Sequence, residues 1–285
     1  MTPFLAIGAA AVYGAGDFFG GVASRRADPL RVGAIAQLSG LLLGVLVLPF
    51  LDISTTDGGQ LAWAVAAGVC GGLGVVGLYA ALASGPMSAT APIAGVCAAA
   101  IPVIVGATLG ERLSGPAIVG IVFAIVAIGL VSRQQRKPQP AACPDSQIKL
   151  KKSLALATVA GIALGLFFTV LAEARAQGSP WLLVVARIVS AAMVTGIVAW
   201  RRPLTKAGST VKAAAAGAGL LDMLGGILYV LVVQTRHLAV VGVLASLYPV
   251  STVILARTVL RERISYFQKA GILCALAAIL LIGIP

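Results

Sequence analysis

Long runs without a charged side chain constrain the fold of this chain more than any other sequence feature. They lie between Arg31 and Asp52, Asp57 and Glu111, Arg112 and Arg133, Lys152 and Glu173, and Arg236 and Arg257. A helix needs about 20 apolar residues to cross roughly 30 Å of hydrocarbon, so most of these runs fit one membrane helix. The run after Asp57 fits two. Because 59% of the residues are hydrophobic and only 11% are charged, the sequence predicts an all-α polytopic membrane protein.

Turn residues divide these runs into ten predicted transmembrane helices. The helices cover approximately residues 4–23, 31–50, 61–83, 88–109, 115–132, 153–173, 181–200, 213–234, 239–258 and 266–284. The apolar N-terminal run lacks a basic segment before it, so it is interpreted as the first membrane helix and not as a cleaved signal peptide. A charged linker at 133–152 separates a five-helix half at 1–132 from a second at 153–285.

A recurring motif indicates that the two halves are copies of one another. Glu-Arg-x-Ser begins at Glu111 and again at Glu262, 151 positions later, and Gln37 matches Arg187 in nearly the same register. Because each half crosses the membrane five times, the second copy is expected to be inverted, as in carriers that work by alternating access. The motif itself is interpreted as structural, with the serine capping the next helix and a solvated ion pair at the headgroup level.

The basic residues are distributed as in a membrane protein and not as in a nucleic-acid-binding protein. The formal charge is +12, but 17 of the 21 Lys and Arg residues fall in alternate predicted loops, without interleaved aromatic residues. The positive-inside rule places the linker in the cytoplasm and both termini outside. Four scattered cysteines indicate neither a disulfide framework nor a metal site, and no cofactor is expected.

Several stretches resemble the EamA-like branch of the drug/metabolite transporter superfamily. They are Gly16-Asp17-Phe18-Phe19-Gly20-Gly21, Ala91-Pro92-Ile93, Ser246-Leu247-Tyr248-Pro249 and the two Glu-Arg-x-Ser copies. The resemblance covers essentially the whole chain and implies two inverted five-helix repeats, with helices one to four and six to nine around a central cavity. It also implies a transporter, not an enzyme, that moves a metabolite or drug across a bacterial inner membrane. Members of this family are often drawn with cytoplasmic termini, so both orientations stay open.

Two aspartates fall inside predicted helices. Asp17 lies about two-thirds along the first helix and Asp222 near the middle of the eighth. A carboxylate in hydrocarbon is costly unless it faces a wet cavity, pairs with a cation or binds a proton. Both are therefore predicted to bind a solute cation or a proton, which would couple transport to the proton gradient. The alternative is a fixed carboxylate hydrogen-bonded to a neighbouring helix.

Arg187 and its repeat counterpart Gln37 are further candidates for solute binding. Arg187 could bind an anionic group, pair with an intramembrane aspartate (Asp222 or Asp17), or extend to the interface. Tyr79 and Tyr229 are also related by the repeat, and each could line the pocket or anchor at the interface.

Prolines inside the fourth and ninth predicted helices are candidate gating elements. Proline removes a backbone hydrogen bond, so Pro92, Pro102 and Pro249 are expected to kink these helices, and Tyr248 lies directly before the last of them. Structural kinks without a gating role are the alternative.

A different class of protein shares one short motif with this chain. Gly14-Ala15-Gly16-Asp17 matches the Gly-x-Gly-Asp of intramembrane aspartyl proteases, with Asp222 as the second carboxylate. In those proteases, however, this aspartate comes second in the chain, and a duplicated architecture would be unexplained. The sequence therefore favours a secondary transporter that exports a small solute, with membrane lipid and protons as partners. Alternating access needs only one chain, so a monomer is expected, and the aspartyl protease is the alternative.

Overall fold

The computed structural model describes residues 2–51, 57–108, 115–132, 144–176, 180–201, 207–233, 248–262 and 266–282. Within these ranges the regular structure is entirely helical. The α-helices are α1 (Thr2–Ser24), α2 (Pro29–Val47), α3 (Gly58–Ser84), α4 (Met87–Thr108), α5 (Gly115–Ser132), α6 (Pro144–Ala176), α7 (Leu182–Arg201), α8 (Ser209–Val233), α9 (Tyr248–Thr258) and α10 (Tyr266–Ile282). A 3₁₀ turn, Leu48–Phe50, follows α2.

Five described helical stretches are long and apolar enough to cross a membrane by length and composition. They are Pro29–Phe50, Gly58–Ser84, Ile148–Leu171, Leu182–Arg201 and Ser209–Tyr229. Shorter apolar helices lie at Met87–Pro102 and Lys269–Ala278. The predicted all-helical membrane protein is thus confirmed, while the number of crossings stays a prediction.

The sixth helix begins earlier than the uncharged run predicts. It starts at Pro144 and not at residue 153, so the C-terminal part of the proposed linker is helical. The Gln, Lys and Leu residues of this part favour helix. Residues 133–143 of the linker and 239–247 of the predicted ninth helix lie outside the described residues.

Asp28 and Asp57 define two of the helix starts. The Asp28 carboxylate accepts a hydrogen bond from the N–H of Leu30 at 2.8 Å, at the start of α2. Asp57 accepts from the N–H of Gln60 at 2.7 Å, and the Gln60 side chain completes a capping box at the start of α3. Each aspartate satisfies backbone donors that have no partner inside the helix.

Glycines allow the helices to pack with their backbones close together. The described contacts join α1 to α8, α3 to α6, α2 to α7 and α8, and α5 to α10. A Cβ at Gly219 would overlap the carbonyl oxygen of Ala36, and one at Gly68 would overlap that of Ala186. Because lipid supplies no hydrophobic force between helices, such close approach is a main source of packing energy.

Glu262 ties three helical corners together. Its carboxylate accepts hydrogen bonds from the backbone N–H groups of Met87 at 3.1 Å and Ser88 at 3.0 Å, the first residues of α4. It also pairs with the Arg25 guanidinium at 2.9 Å. In this copy of the motif, the glutamate therefore also binds the positive end of α4, a contact that the sequence did not predict. Residues 109–114 and 263–265, the rest of the two motifs, lie outside the described residues.

Candidate functional site

A small cavity lies between seven helices, α1, α2, α3, α6, α7, α8 and α9. Its volume is about 40 Å³, enough for a group the size of one or two water molecules. Its polar lining side chains include Asp17, Gln37, Arg187, Ser190 and Asp222. A carboxylate or guanidinium is costly to bury in hydrocarbon, so their convergence on one cavity marks it as the candidate site.

Arg187 of α7 joins three helices at this cavity. One guanidinium nitrogen donates to the Gln37 side-chain oxygen of α2 at 2.6 Å, and another pairs with the Asp222 carboxylate of α8. The Arg187 side chain is 9% exposed and that of Asp222 is 16% exposed, so the pair is largely withdrawn from solvent. The sequence left two aspartates open as partners of Arg187, and in the structure the partner is Asp222.

Close packing of α2 on α8 sets the geometry of this cluster. Gly219 of α8 lies against the carbonyl of Ala36 of α2. Asp222 lies one turn after Gly219 on α8, and Gln37 directly follows Ala36 on α2. A side chain at 219 would push the two helices apart. The small residue therefore brings the carboxylate and the amide within reach of the same guanidinium.

Asp17 occupies a different position in the same cavity. It is 9% exposed, and among the described residues none forms an ion pair or a hydrogen bond with its carboxylate. Gly16, its neighbour, packs on α8 so that a Cβ would lie 3.3 Å from the backbone nitrogen of Asp222. The two aspartates thus lie on helices in direct contact, one paired with arginine and the other without such a partner.

Aromatic side chains form another part of the cavity wall. Tyr13, one helical turn before Asp17, meets the Phe168 ring edge-on with the centroids 6.1 Å apart. The Phe168 ring lies 5.1 Å from that of Phe167 and 5.4 Å from that of Tyr229. The cavity therefore combines charged groups with aromatic rings.

Not every predicted site residue reaches the cavity. Tyr79 and Tyr229 are buried beside it, in the surrounding hydrophobic core, and the described lining includes neither. Of the gating candidates, Tyr248 lines the cavity. Pro92 is buried within α4, whereas Pro102 of the same helix is exposed.

Pro249 is buried in the described part of α9, directly after Tyr248. It packs against Gly95 of α4, at a distance that leaves no room for a side chain there. The gating role of the prolines stays a prediction.

Four polar or aromatic lining residues are absent from the sequence-based site: Tyr13, Phe167, Phe168 and Ser190. Ser190 follows Arg187 by three positions, so helical periodicity places both on one face of α7. Tyr13 precedes Asp17 by four positions and could have been found in the same way. Phe167 and Phe168 could not have been found in this way, because their helix carries apolar residues on every face and the sequence does not show which face lines the cavity.

The comparisons with known proteins agree with this architecture. The model of the EamA-like transporter family matches residues 1–133 and 151–284. An uncharacterized protein of Methanocaldococcus jannaschii, MJ1333.1, is 30% identical over 124 residues, which are 43% of this chain and 90% of that protein. A solved structure described only as "Crystal structure of protein" has a TM-score of 0.68 at 12% identity, over 98% of this chain and 94% of the other, which shows a shared fold. The family model covers most of the sequence, and the chain therefore belongs to the EamA-like transporter family.

Proposed function

We propose that this protein is a secondary transporter that exports a small metabolite or drug-like solute across the inner membrane by alternating access. The observation that carries the proposal is the cavity between helices of both halves, with Asp17, Arg187 and Asp222 in its wall. Ionisable groups inside a membrane bundle are expensive and usually mark a solute or ion path. Membership of a transporter family supports the same conclusion.

Several observations support the inverted duplication that alternating access requires. The family model matches two segments of nearly equal length, and the archaeal relative aligns with 43% of this chain while covering 90% of its own. That relative is therefore about half as long as this protein. The helix contacts also pair the halves: α1 packs on α8, and its repeat counterpart α6 packs on α3. A two-fold arrangement of ten crossings explains all three.

The cavity volume supports a closed state between the two open ones. Solute sites of drug-sized molecules occupy roughly 300–1,000 Å³. The cavity of about 40 Å³ is far smaller, so helices must separate before a solute enters.

One end of the bundle carries a contact suited to act as a gate. Arg25 at the end of α1 pairs with Glu262 and donates to the carbonyl oxygen of Gly85 at 3.1 Å. These contacts hold α1, the α3–α4 turn and the segment after α9 together. Opening the bundle at this end must break them, and closing it forms them again.

The two intramembrane carboxylates supply the proposed coupling to protons. Asp17 lacks a described cationic partner, and Asp222 has Arg187. A buried carboxylate without a cation favours its protonated form, whereas an open, wet cavity favours the ionised one. Alternate opening of the cavity would therefore load and release a proton at Asp17.

Solute flux into proteoliposomes tests this function. The purified protein is screened with a mixture of metabolites and cationic drugs, with and without a pH gradient. The account predicts flux that responds to the gradient and is lost in Asp17→Asn and Asp222→Asn. Unchanged flux in both variants would remove the carboxylates from the mechanism.

The aspartyl protease alternative receives less support. Two catalytic carboxylates share one proton in such enzymes, whereas Asp222 is engaged by the Arg187 guanidinium. The family match is to transporters. Cleavage of a membrane-embedded peptide without solute flux, in the same proteoliposomes, would reverse this preference.

A further inference from the structure

The charges around the cavity do not balance. Its lining contains the carboxylates Asp17 and Asp222 and the guanidinium of Arg187. Arg187 is already paired with Asp222, so Asp17, when it is ionised, carries a negative charge that has no cation beside it among the described residues. A buried carboxylate needs a partner of opposite charge, and the described residues provide none. A solute with one positive charge would complete the cavity.

A hydroxyl group in the same cavity also lacks a partner. Tyr248 is 4% exposed and lines the cavity, and its hydroxyl oxygen makes no hydrogen bond within the described part of the chain. An unsatisfied buried hydroxyl is destabilising, so such groups usually form a hydrogen bond with a ligand or water. This oxygen can accept a hydrogen bond from an N–H group.

The packing of α9 on α1 brings the segment that carries Tyr248 next to the segment that carries Asp17. Thr252 donates to the carbonyl of Gly14 at 2.9 Å, and Ser251 donates to that of Ala10 at 3.2 Å. These contacts fix the first turn of α9, where Tyr248 lies, against the turn of α1 that precedes Asp17. Tyr13 lies on the same turn, and a tyrosine ring attracts cations through its face.

We infer that the transported solute is a protonated primary or secondary amine, whose ammonium group binds Asp17 as its counter-ion and donates a second hydrogen bond to the Tyr248 hydroxyl. The inference rests on the proposed function and specifies its substrate class. A quaternary ammonium carries the charge but has no N–H to donate. Its methyl groups also keep the charged nitrogen farther from the Asp17 carboxylate than an N–H donor would be.

The same charge count argues against a zwitterion as the transported solute. An amino acid brings a carboxylate as well as an ammonium group, so the cavity would keep its excess negative charge. Its carboxylate would also have to displace Asp222 from Arg187, which breaks a buried ion pair.

Four related probes test the inference on the full-length protein in detergent, by isothermal titration calorimetry at neutral pH. They are 2-phenylethylamine, its N,N,N-trimethyl derivative, 2-phenylethanol and phenylalanine; the phenyl group suits the aromatic wall. We expect the amine to bind at least tenfold more tightly than each of the others. Equal or tighter binding of any one of the three, or no binding of the amine, would overturn the inference.

Two variants test whether Asp17 and Tyr248 cause the preference for the amine over the other probes. Asp17→Asn should bring the affinity for the amine to within about threefold of that for the alcohol, because the counter-ion is gone. Tyr248→Phe removes only the hydroxyl group, so it should narrow the preference for amine over the trimethyl derivative and leave the preference over the alcohol in place. If neither variant changes either ratio, the ammonium does not bind here. Alternating accessibility of the cavity, measured separately, would still support transport of another solute.

Discussion

Two arginine–carboxylate pairs connect separate helices in this protein, and their surroundings differ. At the end of the bundle, Arg25 and Glu262 are joined mostly to backbone groups, including the first N–H groups of α4. At the cavity, Arg187 pairs with Asp222 and also donates a hydrogen bond to the side chain of Gln37. The end pair can form only when particular helix ends meet, whereas the central pair borders a space that a solute can enter.

Burial separates the two pairs energetically as well. The Arg25 side chain is 30% exposed, and that of Arg187 is 9% exposed. Ion pairs open to solvent contribute little, because water screens them and ordering the side chains costs entropy. Breaking a buried pair strands a charge where water cannot reach it. Similar chemistry thus forms a partly exposed contact at the end of the bundle and a buried part of the candidate site at its centre.

The largest effect is expected at the central pair. Arg187→Met leaves Asp222 buried without its cation and should destabilise the protein by about 3–5 kcal/mol, with loss of flux. Adding Asp222→Leu removes the stranded charge, so the double variant should recover much of the thermal stability but none of the transport. Thermal unfolding in detergent measures the first and proteoliposome flux the second. A double variant as unstable as the single one would contradict the ion-pair account.

A smaller effect is expected where α2 approaches α8. Gly219→Ala places a methyl group against the Ala36 carbonyl and should cost about 1–3 kcal/mol by overpacking, while moving Gln37 away from Arg187. A Cβ at Gly217, on the same helix, would meet no atom within 4 Å. Gly217→Ala is thus a matched control, expected to be neutral or stabilising by up to about 1 kcal/mol. Equal melting temperatures for the two variants would refute this packing.

The end pair should respond more weakly than either. Arg25→Ala removes the ion pair and the hydrogen bonds to the carbonyls of Leu82 and Gly85, for an expected loss of about 1 kcal/mol. Because the contact is a proposed gate, the variant should also change the flux rate. Arg26→Ala, at the exposed neighbouring position, should change neither property. Identical behaviour of the two variants would deny Arg25 a gating role.

The smallest change in stability is expected at Ser190. Its hydroxyl oxygen is buried and has no hydrogen-bond partner among the described residues, so Ser190→Ala should alter stability by less than about 0.5 kcal/mol. A drop of more than about 1 kcal/mol in denaturant titrations would mean that this hydroxyl group holds the fold together. Ser190 would then be a structural polar contact beside the Arg187–Asp222 pair.

The sequence predicted where most helices lie along the chain, but not where every helix begins. Uncharged runs located most helices to within a few residues, because charged side chains are excluded from hydrocarbon. The start of α6 was missed because Lys149, Lys151 and Lys152 resemble a soluble linker, although their helix propensity is high. A charge count detects the hydrocarbon boundary, and a helix can continue beyond it.

The sequence predicted the ionisable residues of the site, whose burial in a membrane costs free energy, but it did not predict which aromatic residues line the cavity. Asp17, Arg187 and Asp222 stand out because an ionisable group in a membrane helix needs a reason. Tyr79 and Tyr229 could not be placed, since a helix that is apolar on all sides carries no signal for its rotation about its axis. The hydrogen bond from Arg187 to Gln37 depends on how α2 and α7 meet, which repeat register alone does not determine.

Thiol labelling at position 190 tests alternating access most directly. Ser190→Cys is made after replacement of Cys70, Cys97, Cys143 and Cys274, and a small membrane-impermeant thiol reagent is applied to each side of the membrane in turn. Gly58→Cys and Ser84→Cys, at the opposite ends of α3, serve as controls that react from one side each. The account predicts that the thiol at position 190 reacts from both sides. Reaction from one side only, or from neither, would contradict a cavity that opens alternately to the two faces.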